Sequence, residues 1–235
     1  MGTIFKEIKK AAAKKSKFLA VLIDPENFII GDATSFFKAL PPGVTHIFVG
    51  GSTAGSAETR DAVEAIKLNS SLPVIIFPGD HTQITSLADG LLFLSLISGR
   101  NPEYLIEQQV KAVRRLRESS LEIIPTGYIL IDGGKDCTVQ RVSHTQPIAR
   151  EEIDYIVETA LAGEYSGKKL IYLEAGSGAK IPVSAQIIAA VRKALSIPLI
   201  VGGGIRNREQ LEEAYNAGAD LVVIGTAFEN GNYNF

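Results

Sequence analysis

Two glycine-rich segments near the end of the chain each follow an apolar, β-branched run. Gly202, Gly203 and Gly204 follow the run PLIV, and Gly225 and Thr226 follow the run DLVVI. Because glycine has no Cβ, backbone N–H groups at such positions can approach phosphate oxygens, and a following helix N-terminus adds positive potential. The two segments together predict a binding site for a phosphate group. The alternative is that these glycines serve only tight turns.

A third glycine-rich segment contains a carboxylate. It reads YLEAGSGA over residues 172–179 and offers backbone N–H groups and the Ser177 hydroxyl to a ligand. Glu174 lies inside this segment, and we expect a strand-end position near phosphate charge to raise the pKa of its carboxyl. A raised pKa suits a general base that takes a proton from an alcohol. As an alternative, Glu174 is a solvated rim carboxylate or the partner of a Lys or Arg.

Two further strand ends carry oxygen ligands. The first apolar run ends at Asp24, and the second ends in a glycine pair followed by Ser52. Magnesium prefers a sparse oxygen site of this kind, because it keeps several waters and takes further ligands from a diphosphate. The two residues therefore predict a magnesium site. Alternatively, Asp24 is a turn or cap residue before proline and Ser52 is the N-cap of the next helix.

The residues above must be positioned by the strands that precede them. Eight apolar runs predict strands at 18–23, 45–50, 73–78, 91–97, 122–130, 169–174, 198–203 and 220–225. Amphipathic segments predict helices at 58–69, 102–118, 151–162, 184–195 and 207–217. Several runs are apolar on both alternations, which is typical of parallel strands buried on both faces.

This alternation of strands and helices predicts an α/β protein with a TIM (β/α)8 barrel, a single domain over residues 1–235. An open doubly wound sheet is the alternative, although its G-x-G-x-x-G turn is absent after the first strand. In a barrel the carboxyl ends of all strands meet on one face. The candidate residues would therefore share one site.

Two irregularities interrupt the regular pattern. Between the third and fourth strands, residues 79–90 are too few for two loops and a full helix, so the third helix is expected to be missing or much reduced. Its absence would leave an apolar groove for a long hydrophobic ligand or another subunit, unless a short helical turn covers the same space. Residues 132–150 form an unusually long strand-to-helix segment, either a mobile lid or an ordered hairpin, since CTVQRVS alternates like a strand.

Composition excludes several classes of protein. With 24 basic and 26 acidic residues the net charge is −2, which argues against nucleic-acid binding and against attraction to an anionic membrane. The single cysteine, Cys137, cannot form an internal disulfide, and three scattered histidines lack zinc-site spacing. No apolar stretch approaches the roughly 18 residues of a membrane span. We therefore expect a cytoplasmic protein without stable membrane insertion.

The motifs, taken together, resemble one family. LIDPEN (22–27), FVGGST (48–53), IIFPG (75–79), YLEAGSGA (172–179), IVGGGIRN (200–207) and VIGTAFE (223–229) are similar to the geranylgeranylglyceryl phosphate synthase family, which includes heptaprenylglyceryl phosphate synthases. The resemblance covers nearly the whole chain. It implies a TIM barrel lacking its third helix. It also implies a magnesium-dependent prenyltransferase that joins a prenyl diphosphate, chiefly geranylgeranyl diphosphate, to the C3 hydroxyl of sn-glycerol 1-phosphate and releases diphosphate.

The resemblance also implies roles for individual residues. Asp24 and Ser52 match the magnesium positions, and Glu174 matches the catalytic carboxylate. The positions that match the glycerol-phosphate site are Tyr172, Leu173, Glu174, Ala175, Gly176, Ser177, Gly178, Gly203, Gly204, Gly225 and Thr226. The prenyl tail would lie along the groove left by the missing helix, with Tyr104 as a candidate stop that limits its length. Alternatively, Tyr104 caps a helix start or packs against the core.

This chain departs from part of the family pattern. Leu22 stands where some members carry Lys, and the sixth-strand motif differs from theirs, so the chain resembles the second of the family's two groups. Members of that group tend to form homo-oligomers, including dimers and hexamers. Two alternatives stay open: another phosphate-binding barrel of the phosphosugar isomerase or synthase type, and an inactive phosphometabolite-binding barrel.

Overall fold

Eight parallel strands form a closed barrel in the computed structural model, which describes residues 2–225. Each strand pairs with the next in sequence, and the last pairs with the first. The strands are β1 (Phe18–Ile23), β2 (Val44–Val49), β3 (Val74–Ile76), β4 (Gly90–Leu96), β5 (Glu122–Leu130), β6 (Leu170–Glu174), β7 (Leu199–Gly202) and β8 (Leu221–Ile224). All eight predicted strands are confirmed, and so is the TIM-barrel fold.

The helices surround this barrel and include all five predicted ones. They are α1 (Thr3–Ala13), α2 (Ala33–Lys38), α3 (Ser56–Asn69), α4 (Gln108–Arg117), α5 (Thr138–Ser143), α6 (Ile153–Tyr165), α7 (Ala185–Ala194) and α8 (Arg208–Ala217). A π-helical turn, Glu103–Glu107, leads directly into α4. No helix within residues 2–225 has both the length and the apolar character needed to cross a bilayer.

Helix α1, which the sequence analysis did not predict, packs against the amino-terminal end of the barrel. Its buried face contributes Ile4, Phe5 and Ile8 to the same apolar cluster as the interior side chains of the strands. The Glu122 carboxylate, at the start of β5, accepts the N–H groups of Ile4 and Phe5 at 2.7 and 2.8 Å. A carboxylate at a helix N-terminus satisfies free N–H groups and complements the helix dipole. The barrel is thus closed at the end opposite the candidate site.

Side chains on the two faces of each strand enter different apolar layers. On β2, for example, Phe48 belongs to the barrel interior, whereas Ile47 and Val49 belong to the layer between strands and helices. All three are fully buried. Burial on both faces explains why the strands are continuous apolar runs in the sequence.

The helix that a regular barrel would have between β3 and β4 is absent, as expected. Only the 3-10 turn His81–Gln83 lies between β3 and β4, so a short helical turn does occupy part of the space. The Asp80 carboxylate caps this turn by accepting the Thr82 N–H and hydroxyl, each at 2.6 Å. Apolar side chains on the flank of the barrel still border an open groove there.

The alternative of a hairpin in residues 132–150 is wrong, because the segment contains the helix α5. The Ser143 hydroxyl donates to the Val139 carbonyl at 2.6 Å, and such an i to i−4 contact requires helical geometry. The segment meets the sheet only through a single bridge between Ile131 and Ile148. Movement of this segment as a lid stays a prediction.

Candidate functional site

A cavity of about 470 Å³ opens at the carboxyl ends of the strands. Its lining includes Asp24 and Ser52 from the first two strand ends and Glu174 from the sixth. Six other predicted residues also line it: Tyr172, Ser177, Gly178, Gly203, Gly204 and Gly225. The fold therefore brings the candidate metal, acid and phosphate positions into one cavity. Thr226, the remaining predicted strand-end residue, lies outside the described residues.

Three residues of the sixth-strand segment do not line this cavity. The Leu173 side chain belongs to the layer between strands and helices. The Ala175 N–H donates to the Gly202 carbonyl at 3.1 Å, and the Gly176 N–H donates to the Glu174 carboxylate at 2.7 Å. These two N–H groups are bonded within the protein, so they shape the site rather than stand open to a phosphate in this structure.

Glu174 is almost completely buried, with 6% of its surface exposed. Burial raises the pKa of its carboxyl from 4.5 to about 7, and hydrogen bonding from Gly176 and Tyr172 opposes the rise only in part. The expected direction of the pKa shift is confirmed. Its cause here is removal of the carboxylate from water, which acts before any phosphate is bound. The alternative of a solvated rim carboxylate is therefore wrong.

Aromatic rings form the floor of the cavity beside Glu174. The Tyr172 ring centroid lies 5.3 Å from that of Phe77 and 5.4 Å from that of Tyr128. The Tyr172 hydroxyl is buried and reaches no partner at full hydrogen-bond geometry, although it is close enough to Glu174 for their interaction to affect both pKa values. A buried hydroxyl without a full partner favours a polar ligand at this point of the cavity.

The glycines after β7 allow the β6 and β7 turns to touch. A Cβ on Gly203 would lie 2.3 Å from Glu174 Oε1 and 2.8 Å from the Ala175 nitrogen, and its φ is +85°. Both the close approach and the left-handed conformation require glycine. Gly203 thus does serve a tight turn, as the alternative states. The same glycine also places backbone directly against the candidate base.

Asp24 and the turn after β2 form the other end of the cavity. A Cβ on Gly51 would lie 2.6 Å from Asp24 Oδ1, so the backbone that leads to Ser52 packs against this carboxylate. Asp24 also accepts the Glu26 N–H at 3.1 Å, so it does serve a turn as well. Burial raises the pKa of Asp24. Ser52 is not the N-cap of α3, since that position is Gly55.

This donor set fits a cation that is shared with a ligand. The described residues contain no group of three or more His, Cys, Asp or Glu side chains able to hold a metal ion. Asp24 and Ser52 alone cannot fill six oxygen positions, so water and ligand oxygens would have to complete the coordination of magnesium. A cation bound with a diphosphate meets this condition, whereas a purely structural cation does not.

Two cationic side chains that were not predicted from the sequence also line the cavity. Lys135, in the segment after β5, has its Nζ 2.9 Å from the position of a Cβ on Gly178. Arg206 lines the cavity too, but its guanidinium donates to the Gly204 and Ala179 carbonyls. The signal for Lys135 was present in the sequence, because it follows a glycine pair at a strand end.

An apolar groove continues from the cavity along the flank of the barrel. Residues that border it include Phe77, Ile84, Leu91, Leu94, Tyr104 and Ala112. Tyr104 donates its hydroxyl to the Val142 carbonyl at 3.1 Å, which connects the start of the α4 region to α5. Tyr104 thus borders the groove, and its role as a stop for a long chain stays a prediction.

Comparison with known proteins identifies the family. The profile of the PcrB family matches residues 11–234. The chain belongs to the PcrB family. A relative from Zunongwangia profunda named geranylgeranylglyceryl phosphate synthase is 61% identical over 233 residues, or 99% of this chain and 100% of the relative. A Flavobacterium johnsoniae protein of the same name is 50% identical over 236 residues, or 100% of this chain and 97% of the relative.

A solved structure also matches over almost the whole chain. The crystal structure of (S)-3-O-geranylgeranylglyceryl phosphate synthase from Thermoplasma acidophilum, in complex with sn-glycerol-1-phosphate, has a TM-score of 0.90 and 36% identity. The match covers 97% of this chain and 92% of the other. The resemblance inferred from the sequence motifs is confirmed.

Proposed function

We propose that this PcrB-family protein is a prenyltransferase that acts as a geranylgeranylglyceryl phosphate synthase. It forms an ether bond between the C3 hydroxyl of sn-glycerol 1-phosphate and geranylgeranyl diphosphate, and it releases diphosphate. The observation that carries this proposal is the position of Glu174. This buried carboxyl, with a pKa of about 7, lines the same cavity as Asp24 and Ser52, and the cavity opens into an apolar groove.

Glu174 acts as the general base in this reaction. Its carboxylate accepts the proton of the C3 hydroxyl while the hydroxyl oxygen forms a bond to C1 of the prenyl donor. The bond between C1 and the diphosphate oxygen breaks, and its electron pair leaves with the diphosphate. Because the carboxyl has a pKa of about 7, it is partly ionised at neutral pH and still basic enough to take the proton.

Asp24 and Ser52 would hold magnesium at the diphosphate end of the donor. When bound, this ion neutralises the charge that develops on the leaving diphosphate. The protein contributes one carboxylate and one hydroxyl, and the diphosphate supplies further oxygens. The glycerol phosphate would lie at the ends of β6, β7 and β8, since Glu174, Gly203 and Gly225 all line the cavity there. Holding both substrates in one cavity makes the attack effectively intramolecular.

Two findings in relatives support the choice of acceptor and donor. The Thermoplasma acidophilum structure contains sn-glycerol-1-phosphate, and it matches this chain with a TM-score of 0.90. The relatives at 61% and 50% identity both carry the name geranylgeranylglyceryl phosphate synthase. The apolar groove also favours a prenyl chain over a phosphosugar, because a sugar would need polar side chains along that wall.

The groove would hold the prenyl tail, and Tyr104 would limit its length to that of a geranylgeranyl group. Burial of such a tail supplies affinity at about 25 cal/mol per Å² of apolar surface.

We further propose that the protein is a cytoplasmic homo-oligomer, either a dimer or a hexamer. Ile106, Val110 and Val113 form an exposed apolar stripe at helical spacing on the α4 region. An exposed apolar stripe of this kind favours contact with another subunit. Light scattering coupled to size-exclusion chromatography measures the assembly directly, and a monomer at micromolar concentration would contradict this part of the proposal.

Replacement of the candidate base tests the proposed function. Glu174→Gln should lower turnover by about 10² or more, because an amide cannot accept the proton. Binding of magnesium diphosphate should be unchanged, since Glu174 lies at the other end of the cavity. Product would be measured by mass spectrometry and diphosphate binding by calorimetry. Near-normal turnover would refute the assignment of Glu174 as the base.

A further inference from the structure

Gln83 lies in the short turn that stands in place of the third helix, and it is 1% exposed. Its side-chain amide makes three hydrogen bonds to backbone groups, one within its own loop and two in the loop after β2. Oε1 accepts the Gly79 N–H at 2.9 Å, while Nε2 donates to the Gly51 and Ala54 carbonyls at 2.8 and 2.9 Å. A single side chain thus joins the turn after β2 to the turn after β3.

The turn after β2 carries Ser52, and it is held from both sides. On one side, Gly51 packs against the Asp24 carboxylate. On the other side, Gly79 packs so closely that a Cβ there would lie 2.4 Å from the Gly51 carbonyl and 2.9 Å from the Ser52 Cα. The hydrogen bonds from Gln83 fix both loops in this contact.

The turn that carries Gln83 is itself anchored to α4. The Gln108 side-chain oxygen accepts the His81 backbone N–H at 2.8 Å and lies 3.0 Å from the His81 Nδ1. The Arg115 guanidinium donates to the Thr82 carbonyl at 2.7 Å. Helix α4 also borders the apolar groove. Gln83 therefore connects a turn that is hydrogen-bonded to α4 with the loop that bears Ser52.

We propose that Gln83 is a positioning residue for the diphosphate end of the site. It holds the loop that bears Ser52 in place beside Asp24. The inference rests on the proposed function, because it assumes that Asp24 and Ser52 receive the diphosphate. Side chains that orient metal ligands without touching the metal commonly change metal affinity or activity by about 10- to 100-fold when they are replaced.

Two variants separate the bonds that Gln83 makes. Gln83→Met has a similar size but removes all three hydrogen bonds. Gln83→Glu keeps an acceptor for the Gly79 N–H but places a carboxylate oxygen against the Gly51 and Ala54 carbonyls. Ile156→Val is the control, because it loosens the buried face of α6 without touching either loop.

Calorimetry with magnesium pyrophosphate measures the proposed role without requiring turnover. Both Gln83 variants should bind magnesium pyrophosphate about tenfold more weakly than the wild type. Their affinity for sn-glycerol 1-phosphate should stay within about twofold, and the control should bind both ligands normally. In kinetics, the KM for the prenyl diphosphate should rise, whereas the KM for the glycerol phosphate should not.

Hydrogen exchange at the Gly79 amide adds a second readout in the ligand-free protein. Exchange should be about tenfold faster in Gln83→Met and near normal in Gln83→Glu, which keeps the acceptor. If Gln83→Met does not fold, the calorimetry of Gln83→Glu decides the question.

Three results would overturn the inference. They are unchanged affinity for magnesium pyrophosphate in the Gln83 variants, an equal loss of affinity for both ligands, and a wild type that does not bind magnesium pyrophosphate. If magnesium pyrophosphate binds the wild type and binds the Gln83 variants more weakly, but no ether product forms, the proposed function is refuted and the inference stands.

Discussion

The buried Glu174 should make the protein less stable at alkaline pH, and Glu174→Gln should remove this loss. Burial raises the pKa of the folded-state carboxyl from 4.5 to about 7. Between these pH values the folded chain holds a proton that the unfolded chain has released, so stability falls as pH rises. Above pH 7 the full loss is present, and below pH 4.5 it is absent.

The size of this effect follows from the two pKa values. At about 1.4 kcal/mol per pH unit, a rise from 4.5 to about 7 corresponds to about 3 kcal/mol. Glutamine carries no proton at any of these pH values, and its oxygen can still accept the Gly176 N–H. Glu174→Gln should therefore be about 3 kcal/mol more stable than the wild type at pH 8.5, and within about 1 kcal/mol of it at pH 5.

Thermal unfolding from pH 5 to pH 8.5 measures this difference. For a chain of this size, about 3 kcal/mol corresponds to a rise in Tm of about 8 °C at pH 8.5. Glu158→Gln, an exposed change on α6, is the matched control and should show no pH-dependent difference. The reasoning is refuted if Glu174→Gln and the wild type keep the same Tm difference at every pH. In parallel, wild-type kcat/KM should rise with pH to a plateau above about 7, because the base must be ionised.

Three further predictions concern other parts of the cavity. Asp24→Asn should lower magnesium-supported turnover by about 10² while calorimetry shows unchanged binding of sn-glycerol 1-phosphate, and an equal loss of both would contradict the proposed metal role. Gly203→Ala should abolish sn-glycerol 1-phosphate binding and lower the Tm, because its Cβ would lie 2.3 Å from Glu174 Oε1. Gly31→Ala is the control and should be neutral by the same assays, because a Cβ on Gly31 has nothing within 4 Å. Tyr104→Ala should let the enzyme use heptaprenyl diphosphate, and Tyr104→Phe should not, as mass spectrometry of the products would show. An unchanged product length in the alanine variant would exclude Tyr104 as the stop.

Most of the fold could be predicted from the sequence because its strands are buried on both faces. The run 18–23 is apolar at every position, and the predicted bounds 18–23 and 122–130 both match their strands at each end. The missing third helix was predictable from the number of residues available between β3 and β4. Helix α1 was missed although its buried residues Ile4, Phe5 and Ile8 have helical spacing.

The hairpin alternative for residues 132–150 was wrong because short alternation of apolar and polar residues does not by itself distinguish a strand from a short helix. The segment contains the helix α5 instead. In the site, the raised pKa of Glu174 was predicted in direction, but burial rather than phosphate charge is its cause. The burial of Glu174 depends on the aromatic floor, whose rings come from β5, from β6 and from the segment directly after β3.

The contacts of Gln83 are a part of the site that could not be predicted from the sequence. Its partners are backbone groups of Gly51, Ala54 and Gly79, and two of them lie 32 and 29 residues away in the chain. Backbone groups carry no residue-type signal, so no motif marks the interaction. Only the folded arrangement of the two loops shows that this side chain joins them.

Product formation with paired acceptors tests the central claim most directly. The protein would be incubated with geranylgeranyl diphosphate, magnesium and either sn-glycerol 1-phosphate or its enantiomer sn-glycerol 3-phosphate, with and without EDTA. Ether product from sn-glycerol 1-phosphate alone, abolished by EDTA, is the result we predict. No product from any prenyl diphosphate would contradict the claim and leave a phosphate-binding barrel whose apolar groove serves another purpose.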